Sequence, residues 1–275
     1  MFKLALIQMR VEGGAKEKNL DHAAALIAEA AAQGAALAVL PEAMNLGWTH
    51  PSAKAEADEI PDGPSCSGLR KMARETGLYL CSGLVERAGD RIFNAAVLVD
   101  PKGDVTLHYR KLHELEIGHD LYALGDRLQV AQTSLGTIGL MICADAFAPG
   151  QVISRTLGYM GAQIILSPSA WAVPADHDNQ KEPYGALWLE NYAPVARDFR
   201  LWIAGASNVG WITGGPWQGR KCIGCSLVVG PSGEPVLRGP YGEEAEAILY
   251  VDVALQPRPA QGEGWTSYWA KRPDG

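Results

Sequence analysis

No apolar stretch in this 275-residue chain approaches the roughly 20 residues that a membrane-spanning helix needs. The opening MFKLALIQMR turns polar too soon to read as a secretory leader, so a cytoplasmic location and no membrane partner are expected. Positive charge is also scarce. Lys and Arg number 24 against 31 Asp and Glu, for a formal net charge of -7. A nucleic-acid surface needs a basic excess, so nucleic acid is not expected as a partner. Cysteines are few, odd in number and scattered: Cys66, Cys81, Cys143, Cys222 and Cys225. Such a set fits reduced thiols better than a disulfide framework. Cys222-Ile223-Gly224-Cys225 has CxxC spacing, but no second pair or histidine partner completes a zinc site. That segment, CIGCSLVVG, also reads as a strand whose alternate residues face opposite ways. Neither a metal nor an organic cofactor is expected.

What remains is the composition of an ordinary globular protein, 47% hydrophobic and 20% charged, long enough for one substantial core. Strand and helix signals alternate along it. Residues 2–9 and 36–41 read as buried strands and residues 16–33 between them as a helix, with Gly34 as its stop. A helix over 65–77 and a strand over 78–86 follow. Two hairpins come next: ERAGDR joins that strand to the strand FNAAVLVD, and DPKGD joins FNAAVLVD to VTLHYR. Residues 111–127 are polar and irregular. A strand over 137–142 precedes Pro149, which suits the first turn of a helix over 150–161. QIILSPS, residues 184–199 and LWIAGASNV read as strand, helix and strand. CIGCSLVVGPSGEPVL reads as a hairpin around Gly233 and EAILYVDV as a final strand. No linker or low-complexity segment interrupts the pattern. It predicts one α/β domain over 1–275 with mixed sheets, each covered by helices on one face. Residues 254–275, rich in Gly, Pro and Trp, read as a C-terminal extension over the surface or a partner subunit.

Three polar residues stand at strand exits: Glu42 after LAVLP, Lys111 after VTLHYR and Cys143 after TIGLMI. In α/β folds such positions converge at the rim of the sheet, where ligands bind. Singly, each has a plain reading: a solvated loop acid, part of a surface charge run, an inert core thiol. Together they form a plausible catalytic group.

The motifs around them carry a resemblance. VLPEAMNLGW resembles the glutamate motif of the nitrilase superfamily, the carbon-nitrogen hydrolases. YRKLH resembles its lysine motif and LMICAD its cysteine motif, in the same order. KLALIQM, GAQIILSPSAW, GASNVG and IGCSLVVGPSGEPV extend the similarity from residue 3 to about 253. The resemblance implies Glu42, Lys111 and Cys143 as a catalytic triad. It also implies a four-layer α-β-β-α sandwich of two mixed sheets, and assembly as a homodimer or higher homo-oligomer.

The chemistry agrees. A thiol attacks as thiolate, which a nearby ammonium and a helix N-terminus favour. Lys111 and the Ala144 N–H could hold the oxyanion, each such donor being worth about 3 kcal/mol. Glu42 could serve as base and acid in turn. The substrate expected is a small linear amide, cleaved to an acid and ammonia. An N-carbamoyl amide, a nitrile, and a catalytically silent scaffold protein are the alternatives.

Departures from the family pattern bear on detail. Many relatives carry a second glutamate after the lysine. Glu114, Glu116 and Asp120 compete for that place in LHELEIGHDLYALGD, and Glu116 is the choice. His113 and His119 lie in the same loop and allow a Cys–His reading, although a solvated surface role suits them. Ala144 is small where many relatives carry a larger side chain. Asp145 stands where nitrilases have Glu, which favours amides over nitriles. Arg200 and Leu201 replace a frequent Glu-Asn pair. Trp171, Trp48 and Tyr122, with Ala144, are candidates for substrate contact, and core packing suits the aromatics equally.

Overall fold

The computed structural model describes residues 1–259. Its strands are β1 (Phe2–Gln8), β2 (Leu37–Val39), β3 (Tyr79–Ala88), β4 (Arg91–Val99), β5 (Val105–Arg110), β6 (Val130–Thr133), β7 (Gly136–Leu140), β8 (Ile164–Ser169), β9 (Ala172–Val173), β10 (Trp202–Ser207), β11 (Val209–Trp211), β12 (Lys221–Ile223), β13 (Leu227–Val229), β14 (Pro235–Arg238) and β15 (Ala247–Val253). Its helices are α1 (Lys16–Ala32), α2 (Ala53–Glu56), α3 (Pro64–Thr76), α4 (Val152–Tyr159) and α5 (Ala186–Phe199).

Two six-stranded sheets form, in the orders β15-β1-β2-β3-β4-β5 and β14-β13-β10-β8-β7-β6. Each has three parallel strands at its centre, β1, β2 and β3 in one and β7, β8 and β10 in the other. Antiparallel strands extend both sides. The two halves therefore share one strand–helix rhythm. A small third sheet, β11-β12-β9, joins segments beside the second.

Strands buried on both faces read as near-continuous apolar runs, and the core shows why these do. Leu4 and Leu6 of β1, Leu37 and Val39 of β2, and Tyr79 and Cys81 of β3 pack toward the second sheet. Their neighbours Ala5, Ile7, Ala38 and Leu80 pack instead against Ala23 and Ile27 of α1 and Leu69 and Ala73 of α3. On the far side, Ile153 and Leu157 of α4 and Trp188, Tyr192, Val195 and Phe199 of α5 complete the larger core. The result is the four-layer α-β-β-α sandwich. Helix ends follow local chemistry: α3 starts at Pro64 and stops at Gly77, whose φ of 72° a side chain would resist.

Several boundaries differ from the sequence reading. The helix expected over 150–161 runs only from Val152 to Tyr159, because Gly150 and Gln151 take φ of 69° and 51° and break it from Pro149. LWIAGASNV divides at Asn208 into β10 and β11. CIGCSLVVG is not one strand: Gly224 and Cys225 take φ of 65° and 60°, so the chain turns a corner from β12 to β13. Of the C-terminal extension, residues 260–275 lie outside the described residues. The part before them is held to its own subunit, where the Ala254 carbonyl accepts from Trp202 Nε1 at 3.1 Å and Gln163 Nε2 donates to the Gln256 carbonyl at 2.8 Å. Among the described residues no helix is long and apolar enough to cross a membrane.

Candidate active site

Glu42 follows β2, in a sharp turn where Ala43 takes φ of 48°. Its backbone reaches across to the second sheet, the Glu42 N–H donating to the Ser169 carbonyl at 3.2 Å. On its own sheet the turn lies so close to β3 that a Cβ at Gly83 would stand 2.5 Å from the Glu42 Cα. Only glycine fits there. Lys111 leaves β5, its N–H donating to the Asn94 carbonyl of β4 at 2.9 Å. Cys143 opens a one-turn 3-10 segment, Cys143–Phe147, after β7. It takes φ of 44°, a left-handed conformation costly for a side-chain residue and common where a nucleophile is presented.

These three strand exits meet. Lys111 Nζ donates to Glu42 Oε1 at 2.8 Å and to Glu114 Oε1 at 2.9 Å. The Cys143 thiol lies within electrostatic reach of the Glu42 carboxylate, the Lys111 ammonium and the Ala170 N–H. Asn94 Nδ2 bridges the two acids, donating at 2.7 Å to both Glu42 Oε1 and Glu114 Oε2. Glu42, Asn94, Lys111 and Glu114 are all at most 6% exposed. A single ammonium between two buried carboxylates holds its charge. Burial works against it, but Glu42 and Glu114 raise Lys111 well above its usual range.

The acid that the structure places on Lys111 is Glu114, where the sequence reading had chosen Glu116. Glu116 begins a short 3-10 turn and points into solvent, as does Asp120. Glu114 instead stays buried, because Gly118 leaves room for it: a Cβ there would stand 2.8 Å from its Cγ. His119 is exposed, with its ring near the Glu114 carbonyl, and His113 offers its backbone N–H to Asp145. Among the described residues neither ring bonds to Cys143.

A second buried acid ties the site together. Asp145 accepts from Tyr109 Oη at 2.7 Å, from the Ile142 N–H at 2.8 Å and from the His113 N–H at 2.8 Å. It thereby pins the cysteine turn to the segment that carries Lys111 and Glu114. Burial pushes its carboxyl up to about 6, against the pull of Lys111 and these donors.

The thiol itself differs from the expectation drawn from charge alone. Burial raises it well above its usual range, the Glu42 carboxylate adds to the rise, and Lys111 only opposes them. Burial and Glu42 thus favour the protonated thiol in the resting site. The proton must leave as the sulfur attacks.

Comparison with known proteins agrees with this geometry. The family model of the carbon-nitrogen hydrolases matches residues 3–258. This chain is a carbon-nitrogen hydrolase. It is 32% identical to the nitrilase of Pyrococcus abyssi over 93% of its own length and 91% of the relative's. It is 28% identical to the omega-amidase of Danio rerio, over 93% and 89%. Among solved structures it is similar to the NitN amidase of Nesterenkonia sp. AN1, with a TM-score of 0.77 and 25% identity over 92% of this chain and 93% of that one. Another structure of that amidase shows acrylamide added to the active-site cysteine. Membership of this family makes the protein a hydrolase of C–N bonds.

In this carbon-nitrogen hydrolase the remaining candidates sit around the cluster in different ways. Ala144 is buried beside Cys143, in the first turn of the 3-10 segment, where N–H groups lack an internal acceptor. Lys111 Nζ lies 5.9 Å from the Trp48 ring centroid, so Trp48 walls the cation. Trp217 packs on it edge-to-face at 5.1 Å. Tyr122 is buried, and its hydroxyl accepts from the Thr49 N–H at 3.0 Å, a structural bond. Trp171 is buried and stacks on Trp188 at 4.4 Å. Arg200 caps α5 at a φ of 51°, and Leu201 is buried in the core. The sequence reading missed Asn94, although an amide within the apolar run FNAAVLV is the mark of a buried polar residue with a partner.

Proposed function

We propose that the protein is a cofactor-free thiol amidohydrolase that cleaves a small linear amide to a carboxylic acid and ammonia, with Glu42, Lys111 and Cys143 as its catalytic residues. The observation that carries this reading is the meeting of a carboxylate, an ammonium and a thiol at three strand exits, with the thiol proton within reach of Glu42. Cys143 Sγ attacks the carbonyl carbon as its proton passes to Glu42. The oxyanion forms beside the Lys111 ammonium and the Ala144 N–H, each worth about 3 kcal/mol when preorganised. Glu42 then gives the proton to the nitrogen, the C–N bond breaks and ammonia leaves a thioester on Cys143. Glu42 next draws a proton from water, whose oxygen attacks the thioester. The carbon–sulfur bond breaks and the proton returns to the thiol.

Glu114 holds Lys111 in place and charged, and carries no proton in this scheme. The names of the similar proteins support amide chemistry. An omega-amidase is among the relatives, and the Nesterenkonia amidase has been captured with butyramide. The absence of a larger acid at Asp145 favours amides over nitriles.

Intact-protein mass spectrometry tests the proposal, after brief mixing with small amides, N-carbamoyl amino acids and nitriles. An acyl adduct on the native protein, absent from Cys143→Ala, with ammonia released from an amide, is the expected outcome. Release of ammonia by Cys143→Ala at the native rate would overturn it.

A further inference from the structure

The two carboxylates on Lys111 are not equivalent, and Asn94 makes the difference. Asn94 lies in β4, opposite Val85 of β3, and is 1% exposed. Its carbonyl accepts from the Lys111 N–H at 2.9 Å, so one residue holds both the backbone of the cation and the acids around it. Its amide nitrogen donates to Glu42 Oε1 and to Glu114 Oε2, at 2.7 Å each. Its amide oxygen is buried and has no hydrogen-bond partner among the described residues. A buried acceptor is seldom left so. Turning the amide over would set that oxygen against two carboxylates, so the acids dictate which way it faces.

The donors on each oxygen separate the two acids. Glu114 Oε1 accepts from Lys111 Nζ and from the Leu115 N–H, both at 2.9 Å, and Glu114 Oε2 accepts from Asn94. Both of its oxygens are occupied. Glu42 takes Lys111 Nζ at 2.8 Å and Asn94 Nδ2 at 2.7 Å on the same atom, Oε1. Among the described residues no N–H or O–H group bonds to Glu42 Oε2. A carboxylate oxygen that already holds two strong hydrogen bonds is a poor proton acceptor, and its bare partner keeps the affinity. Without Asn94, Glu114 Oε2 would be bare as well, and the Glu42 carboxylate could rotate to offer Lys111 either oxygen. Two acids of equal standing would then face one ammonium.

We propose that Asn94 is a positioning residue for the reaction: by sharing Glu42 Oε1 with Lys111 and occupying Glu114 Oε2, it makes Glu42 Oε2 the single oxygen that carries the proton. The inference rests on the amidase reading above and takes it to the level of one atom. The S–H bond of Cys143 breaks as its proton bonds to Oε2, the sulfur pair forms the bond to the carbonyl carbon, and the carbonyl π pair moves to oxygen beside Lys111. The proton then passes from Oε2 to the nitrogen as the C–N bond breaks. Oε1 stays on Lys111 and Asn94 throughout, so the cation keeps its place while the proton moves. Asn94 itself neither gives nor takes a proton.

Asn94→Leu keeps the branched shape of the side chain and removes both donors. Two substrates with one acyl group read the effect. Butyramide needs its nitrogen protonated before it leaves, whereas p-nitrophenyl butyrate releases p-nitrophenolate without a proton. In Asn94→Leu, kcat/KM for the amide is expected to fall about a hundredfold, through kcat with KM within about threefold, and that for the ester about tenfold or less. The amide-to-ester ratio therefore drops about tenfold or more, the scale of one charge-assisted hydrogen bond. A residue that only held the fold would lower both values alike. An unchanged ratio overturns the proposal, whether both activities fall together or neither falls. A second arm needs no turnover: alkylation of Cys143 by iodoacetamide, followed by intact mass, is expected to slow about tenfold or more in Asn94→Leu. If the amide is cleaved with ratio and alkylation both indifferent to Asn94→Leu, the amidase reading survives and the positioning role falls. If the native protein cleaves no amide but its alkylation slows in Asn94→Leu, the positioning role stands and the amidase reading falls. Should Asn94→Leu fail to fold, Asn94→Ser, smaller and with one donor in place of two, is expected to move the ratio and the alkylation rate in the same direction, and no movement there overturns the proposal.

Discussion

Glu114 and Glu116 differ by two positions in the chain and by everything that matters to chemistry. One is buried with its carboxylate on Lys111 and Asn94, and the other faces water. Removing the Glu114 charge leaves a buried ammonium with one carboxylate partner in place of two. Steady-state kinetics of Glu114→Gln should show kcat reduced by about a hundredfold or more, the cost of displacing a preorganised oxyanion donor. Glu116→Gln should stay within about twofold, as exposed substitutions do. Equal effects would remove Glu114 from the site. The thiol gives a second residue-scale prediction. Burial and Glu42 both favour the protonated form of Cys143, so no thiolate should be present at neutral pH. Thiolate absorbance, titrated in the native protein and in Cys143→Ala, should show no difference between the two below about pH 8.5, where a free cysteine would be half ionised. A difference step near pH 6 would mean that Lys111 wins over burial, and the resting site would store an ion pair. Such a result would move the proton transfer ahead of substrate binding.

At the scale of elements, β3 and β5 carry an ion-pair cluster. Glu86 of β3 accepts from Arg110 Nη2 at 2.6 Å and pairs with His108 Nε2 at 2.9 Å, both from β5. Burial alone would raise the Glu86 carboxyl, but the bonds from Arg110 and His108 outweigh it and hold it below its usual range. The sign of the linkage follows. A carboxyl lowered in the folded state adds stability above its unfolded pKa of about 4.3 and loses it as pH falls toward the folded value. Denaturant unfolding should therefore find Glu86→Gln less stable than the native protein by about 2 kcal/mol at pH 7, with the gap closing below about pH 4. A gap that persists unchanged at low pH would mean that the carboxylate charge is not what Arg110 and His108 recognise. Lys111 is the residue after Arg110, so this cluster also fixes the end of the strand that delivers the cation. Asp145 plays the matching part for the thiol, through Tyr109 and two backbone N–H groups.

At the scale of the whole molecule, the sandwich leaves apolar side chains exposed on α4 and α5. Val152 and Tyr159 of α4 and Leu187 of α5 are 55%, 60% and 53% exposed. Sparse apolar residues on a surface are ordinary, but several on one helix layer suit a face that another surface would cover. A homodimer joined through α4 and α5 is the expected arrangement. Sedimentation equilibrium should give at least twice the monomer mass, and Leu187→Glu with Val152→Glu should shift it toward the monomer. A native protein that sediments as a monomer at micromolar concentration would overturn this arrangement.

Much of this was readable along the chain, for a physical reason. Strand and helix signals are local, and burial on both faces writes a strand as an apolar run. The positions of β1, β3, β8 and β15, and the three strand exits with Glu42, Lys111 and Cys143, therefore follow from order and pattern alone. Motif order carried the family as well, since each motif is a stretch of neighbouring residues. What the sequence could not decide are relations between segments far apart in it. Glu114 against Glu116 turns on the room left beside Gly118. Asn94 matters only because β4 lies beside β5, and the break of CIGCSLVVG turns on left-handed backbone at Gly224 and Cys225. The protonation of Cys143 is set by burial that no neighbour in sequence imposes. Polarity is written residue by residue, but the desolvation and pairing that turn it into chemistry exist only once the two sheets are stacked.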